Sequence, residues 1–256
     1  MSVVREFSQR RGRFGEMIVV RPLHARPHQF LEFYHREPYQ VEEEGLGFSQ
    51  TPGCVLVGPC LSPGKRLGFQ GEIETFTIHF QPTGLSRLFG LSMTEMADQA
   101  FDASDVIGRA VRGLGDQLSR QTHFEARIEV AQAWLYQRLC QARPVTSVDW
   151  AARLLARTGG RVSIDRLAAW SDLSARHLQR RFLTEVGASP KHYARLHRFS
   201  SLIDARRKTP HRAWADLAID HGFADQAHLI RETRRLAGRT PELLIQQLLA
   251  VPEQNA

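Results

Sequence analysis

At 256 residues, with 42% hydrophobic and 24% charged side chains, the chain holds enough apolar material for one large or two ordinary folded domains, which excludes a disordered polymer. No apolar run approaches the roughly 18 residues of a membrane span, and Met1-Ser2-Val3-Val4-Arg5-Glu6 lacks the apolar core of a signal peptide, so a cytoplasmic location is expected. The formal charge of +7 is uneven: residues 147–256 carry 18 Lys or Arg against 11 Asp or Glu, residues 1–146 carry 16 of each, and the skew favours a polyanionic partner.

From Met17 to Phe80 short apolar runs are cut by Gly and Pro. Met17-Ile18-Val19-Val20, Phe30-Leu31-Glu32-Phe33-Tyr34, Cys54-Val55-Leu56-Val57 and Glu74-Thr75-Phe76-Thr77-Ile78-His79-Phe80 read as strands. In the last, Phe76, Ile78 and Phe80 alternate with Thr75, Thr77 and His79, the period of a strand with one buried face. A small antiparallel barrel or sandwich is predicted. Cys54, Cys60 and Cys140 include no pair at the two-residue spacing of a metal knuckle or redox motif, so reduced thiols are expected.

After Pro82 the period turns helical. Leu85 to Phe89 is a short helix, and Ser92-Met93-Thr94-Glu95 has the pattern of a capping box. A longer helix over about 124–140 carries Phe124, Ile128, Ala131, Leu135 and Leu139 on one stripe. That stripe either packs on the barrel or meets a second subunit in a homodimer. Gln141-Ala142-Arg143-Pro144-Val145-Thr146 is the candidate boundary between a domain at 1–143 and another at 147–248, with Ser147 expected to cap the next helix and Gly159-Gly160 to stop it.

The second domain contains one helix-turn-helix pattern twice. Leu167 and Leu217, and Leu173 and Phe223, lie 50 residues apart; Leu178 and Leu229, Arg180 and Arg231, and Pro190 and Pro241 lie 51 apart. In the first unit Ser163 caps a support helix, Ser171-Asp172-Leu173 turns, and Ser174 caps a second helix. There Leu178 and Phe182 face inward while Arg176, Gln179 and Arg180 share the opposite face. Arg can pair bidentately with guanine and Gln with adenine, so this row suits base edges in a major groove, and Arg181 suits a phosphate. In the second unit Gln226 and Arg231 are the expected contacts, Asp225 is a cap, and His228 is left unassigned. Between the units Lys191 to about Arg207 reads as one helix with Tyr193, Leu196, Phe199, Leu202 and Ile203 buried. Its 17 residues span roughly 25 Å, short of the roughly 34 Å between successive major-groove faces, so simultaneous insertion requires bent DNA.

Residues 147–248 resemble the AraC/XylS family of bacterial transcription regulators. The resemblance rests on Leu167-Ala168, His177 to Phe182, Gly187-x-Ser189-Pro190, Asp216 to Arg231 and Gly238-x-Thr240-Pro241. It implies an α+β two-domain chain: a small cupin-like antiparallel β barrel with helices, then an all-α pair of helix-turn-helix units on double-stranded DNA. It also implies a nucleoid-associated regulator, usually an activator contacting RNA polymerase, with a small-molecule effector in the amino-terminal domain. On the same resemblance Arg176, Gln179, Arg180, Gln226 and Arg231 fall on positions that face bases; with Ser174, Arg181 and Lys191 they make up the expected DNA-binding set. Two departures stand out: Thr233 where the family generally has Phe, and Asp172 where Gly is common. The amino-terminal resemblance is looser and centres on Phe80-Gln81-Pro82-Thr83-Gly84.

Two rival readings compete. A metal-dependent cupin enzyme would need ligands among His24, His28, His35 and His79, yet no His-x-His with a following Glu occurs and Pro27 interrupts the His24–His28 spacing. No enzyme activity, metal or cofactor is therefore expected. A nonspecific architectural binder would rely on phosphate contacts alone, which leaves the Arg176, Gln179 and Arg180 row without a purpose.

Overall fold

The computed structural model describes residues 3–43 and 46–249; Met1 and Ser2 of the stretch considered for targeting lie outside them. The chain order of strands is β1 (Val4–Arg13), β2 (Val19–Leu23), β3 (Phe30–Tyr34), β4 (Gln40–Glu43), β5 (Gly47–Gln50), β6 (Cys54–Val57), β7 (Lys65–Phe69), β8 (Glu72–Phe80) and β9 (Ala100–Asp102). They form two antiparallel sheets, one ordered β1-β8-β3-β6-β9 and the other β2-β7-β4-β5. The runs at 30–34 and 54–57 are strands with the expected bounds, whereas the run at 17–20 begins its strand at Val19. The sequence VREFSQRRGR of β1 conceals a strand, because its arginines blur the alternation that marks β8.

One expectation about β8 is corrected. Thr75 and Thr77 are as buried as Phe76 and Ile78. Phe76 and Ile78 join Leu31, Phe33 and Leu56 in a core covered by helices, while the threonine face turns toward the space between the sheets, where Thr77 donates to Glu32 at 2.8 Å. The Thr77 hydroxyl and the Glu32 carboxylate are tolerated there because each finds a partner; Tyr34 also donates to Glu32, at 2.9 Å.

Helices α1 (Gly84–Phe89), α2 (Met93–Met96), α3 (Ala103–Ile107), α4 (Ala110–Ser119) and α5 (Phe124–Leu139) complete this half. The capping box expected at Ser92 and Glu95 does not form: α2 is one turn long, and the Glu95 amide donates to the Ser92 carbonyl instead. The stripe on α5 faces inward. Ala131 and Leu135 are buried in the sheet core with Phe124, Ile128 and Leu139 packed against it, so the surface considered for a partner helix is occupied by its own domain. Buried Arg127 fixes the helix by donating to Glu74 at 2.7 Å and Gln9 at 3.1 Å.

The remaining helices are α6 (Ser147–Arg157), α7 (Ile164–Trp170), α8 (Ala175–Val186), α9 (Pro190–Lys208), α10 (Trp214–Asp220), α11 (Gln226–Ala237) and α12 (Pro241–Leu249). The cap of α6 is Thr146, one residue before the expected Ser147, and its amide donates back to Asp149 at 3.4 Å. A carboxylate at the third helical position suits that reach; Ser147 lies already inside the turn. Leu155, Leu167, Leu178, Phe182 and Tyr193 build the core of the first unit. Leu202, Leu217, Phe223 and Leu229 build that of the second. The nineteen residues of α9 contribute to both.

Candidate nucleic-acid interface

Each reader helix is entered through a short turn and a capped start. Ser163 accepts the Arg166 amide at the head of α7. At the turn Asp172 adopts φ 53°, the left-handed conformation that its second-unit counterpart, Gly222 at φ 75°, reaches without a Cβ. Ser174 then accepts the His177 amide at 3.2 Å, so its hydroxyl is engaged in starting α8.

Leu178, Phe182 and Val186 turn into the core, and this rotation leaves Arg176, Gln179 and Arg180 exposed together on the outer face. Arg181 lies elsewhere. Its guanidinium runs along the helix to Glu185 at 2.7 Å, and Glu185 also accepts from Thr146 at 3.0 Å. The residue expected to meet a phosphate thus joins α8 to the start of α6.

In the second unit Asp225 accepts the His228 amide at 2.6 Å, and Gln226 follows as the first, exposed residue of α11. Arg231 is exposed. His228 is structural: its Nδ1 accepts the Ala224 amide at 3.2 Å and its ring stands 5.5 Å from that of Phe223. Thr233 is fully buried and donates to the Leu229 carbonyl at 2.9 Å, so a residue smaller than the family's Phe is accommodated with its hydroxyl satisfied. Lys191, exposed, is the second residue of α9, after the Ser189 cap and Pro190. His177, Arg234 and Arg235, also exposed, extend the two ridges beyond the residues singled out from the sequence. The i+3 and i+4 spacing from Arg231 was the signal for the last two.

A second site lies between the sheets. A cavity of about 410 Å³ is lined by Arg26, Phe30, Glu32, Tyr34, Cys60 and Asp98 among others. Burial, then the Glu32 charge, pushes the Tyr34 phenol well above its ordinary range, and burial raises the Cys60 thiol against the opposing pull of Arg26. Three of the four histidines weighed as metal ligands have partners of their own. His79 pairs with Ser8 at 2.9 Å, His24 stands edge-on to Phe199, and His28 faces His197. Among the described residues no group of three His, Cys, Asp or Glu is placed to hold a metal ion, and no helix is long and apolar enough to cross a membrane.

A barrel of two sheets with attached helices, followed by two helix-turn-helix units around a shared helix, defines the class. Residues 167–247 match the family model described as Helix-turn-helix domain, so the carboxyl-terminal part of this chain is a helix-turn-helix domain of the AraC type. No curated protein sequence matches the chain. Among solved structures the chain is similar to ToxT from Vibrio cholerae over nearly its whole length. One ToxT structure has a TM-score of 0.55 at 9% identity, covering 95% of this chain and 99% of that one. Another has 0.53 at 9% identity, covering 96% and 98%. A third, ToxT with bound unsaturated fatty acid, has 0.54 at 10% identity, covering 99% and 100%. At such identity the likeness establishes the shared two-domain fold.

Proposed function

We propose that the protein is a sequence-specific DNA-binding transcription regulator whose two reader helices, α8 and α11, address successive major-groove segments of one duplex. The observation that carries this reading is the exposure of Arg176, Gln179 and Arg180 as one row opposite the buried face of α8. These side chains offer bidentate donors and a donor–acceptor amide, the groups that distinguish guanine and adenine edges. Gln226 and Arg231 on α11 and Lys191 at the head of α9 supply further base and phosphate contacts. The sequence resemblance extends the proposal to activation through RNA polymerase and to a cytoplasmic, nucleoid-bound protein divided into a domain at 1–143 and another at 147–248.

The cavity between the sheets is the proposed effector site. Its volume suits a small organic molecule, and its mixture of Phe30 and Val55 with Arg26 and Glu32 suits an apolar body with a polar or ionic end. The fatty acid held by ToxT, a protein of the same fold, supports a ligand of that general character. Homodimerisation, if it uses α5, falls to the outer face carrying exposed Tyr136.

Selection of duplexes from a randomised pool by the full-length protein tests the reading. A recovered bipartite motif, lost on substitution of Arg176 or Gln179, is the expected result. Binding indifferent to sequence and governed only by salt would replace it with the architectural reading.

A further inference from the structure

The chain between β6 and β7 carries a five-residue strap, Pro59-Cys60-Leu61-Ser62-Pro63, that touches both reader units. At one end, Pro59 packs on Gly187, the left-handed cap that closes α8: a Cβ on this glycine would lie 2.9 Å from the Pro59 ring and 2.7 Å from the Met93 carbonyl oxygen. At the other end, Pro63 faces Gly238, the equivalent cap of α11, where a Cβ would lie 3.8 Å from the proline ring. These glycines stand 51 residues apart, the period of the internal repeat. One short segment of the barrel therefore abuts the same point on each copy. Pro59 and Pro63 can be at most about 14 Å apart along an extended chain, so the strap keeps the carboxyl ends of the two reader helices close.

Further contacts make the strap a fixed part rather than a passing loop. Leu61 packs against the core of the first unit and against the cluster formed by α9, α11 and α12. Its carbonyl oxygen lies 3.2 Å from the His192 ring at the head of α9. The neighbouring segment is bonded on both sides: Arg26 and Cys60 exchange backbone hydrogen bonds of 2.7 and 3.0 Å, and the Ala25 amide donates to the Leu236 carbonyl in α11 at 2.8 Å. Asp98 holds the strap from within the barrel. Its carboxylate accepts from the Leu61 amide at 2.6 Å, the Ser62 amide at 3.2 Å and the Ser62 hydroxyl at 3.1 Å. Asp98 itself sits at φ 59°, a conformation that Asp and Asn tolerate better than most residues.

We infer that Asp98 and His192 are positioning residues for DNA recognition: by clamping segment 59–63 against both units they set the distance and angle between the reader helices, and hence the spacing between the two base-pair segments that the protein accepts. The inference rests on the DNA-reading function proposed above. It gives the barrel a part in specificity that a linker helix alone could not supply, because α9 fixes the separation along its axis while the strap fixes the far ends. Arg26, Cys60 and Asp98 also line the cavity between the sheets, so the strap and the cavity wall are one piece of chain.

The test uses the full-length protein and the bipartite duplex that the wild type selects, with the segment between its two halves lengthened or shortened by one base pair. Each such change displaces one half-site by about 3.4 Å and rotates it by about 35°. The wild type is expected to lose at least about tenfold in affinity for either altered duplex, and Asp98→Ala less than about threefold, with affinity for an isolated half-site unchanged. Asp98→Asn, which keeps an acceptor and tolerates the backbone conformation, restores the wild-type penalty. His192→Ala reports on the same clamp from the other side and decides the matter if Asp98→Ala does not fold. An undiminished spacing penalty in the folded variants overturns the inference. Failure of the wild type to select any sequence would instead overturn the DNA-reading function itself.

Discussion

Arg195 holds the Glu232 carboxylate through two hydrogen bonds, of 2.7 and 3.2 Å, and so joins α11 to the helix shared by both units. Both side chains are largely withdrawn from solvent, at 19% and 17% exposure, which places this forked pair between a surface ion pair and a fully buried one. Arg195→Ala leaves Glu232 without those donors, and a loss of about 1.5–3 kcal/mol in urea denaturation is expected. A loss below about 0.5 kcal/mol would mean that water replaces the guanidinium without cost.

The pair of glycines after α6 separates two kinds of constraint. Gly160 has φ +70°, and a Cβ there would lie 2.0 Å from the Ala194 carbonyl oxygen on α9; Gly159 has φ +58° and meets only Ser201 Oγ, at 3.5 Å. Gly160→Ala is expected to cost about 3 kcal/mol or more, combining backbone strain with overlap against main chain. Gly159→Ala should cost about 1 kcal/mol, from backbone conformation alone. Thermal melting of the two variants gives the order, and equal losses would contradict the close approach.

Base reading and phosphate anchoring should respond to different substitutions. Gln179→Ala is expected to relax preference at one base position by about 1–3 kcal/mol, as measured on duplexes differing there. Lys191→Ala should weaken all duplexes alike and reduce the magnitude of the salt-dependence slope by about 1. A uniform loss from Gln179→Ala would remove it from the base-reading row.

The nineteen residues of α9 span roughly 28 Å, still less than the roughly 34 Å between successive major-groove faces. Engagement of both readers is therefore expected to bend the duplex toward the protein, raising end-to-end energy transfer in a labelled duplex. A straight duplex with both half-sites protected would refute this.

Stability should fall on mild acidification. Burial, first among the causes, holds His35, His79 and His197 down to about 4 from an ordinary 6.5. Between those values the unfolded chain binds protons that the folded chain excludes, so stability present above pH 6.5 is lost as pH falls toward 4, by at most about 1.4 kcal/mol per pH unit for each histidine. Urea midpoints at pH 7.5, 6 and 5 follow this, and His197→Gln should flatten the decline. A constant midpoint across that window would show that these rings are hydrated in the folded protein.

The sequence by itself determined the repeated unit, because its signals are local. A serine before a helix, a turn residue able to adopt positive φ, and apolar side chains four apart specify each helix from within about a dozen residues. The exposed row of Arg176, Gln179 and Arg180 follows once Leu178 and Phe182 are turned inward. The central strands at Phe30 and Cys54 were legible for the same reason.

Only the tertiary structure decided what depends on distant partners. Period-two alternation identified the two faces of β8, yet the threonine face proved buried because a second sheet covers it and Glu32 satisfies Thr77. Arg181 reads as a free cation until Glu185 and Thr146 are brought beside it, and the α5 stripe reads as a possible seam until the barrel occupies it. The strap at 59–63 carries no local signal. Its role arises from the meeting of Asp98, His192, Gly187 and Gly238, residues that pattern within one segment cannot place together.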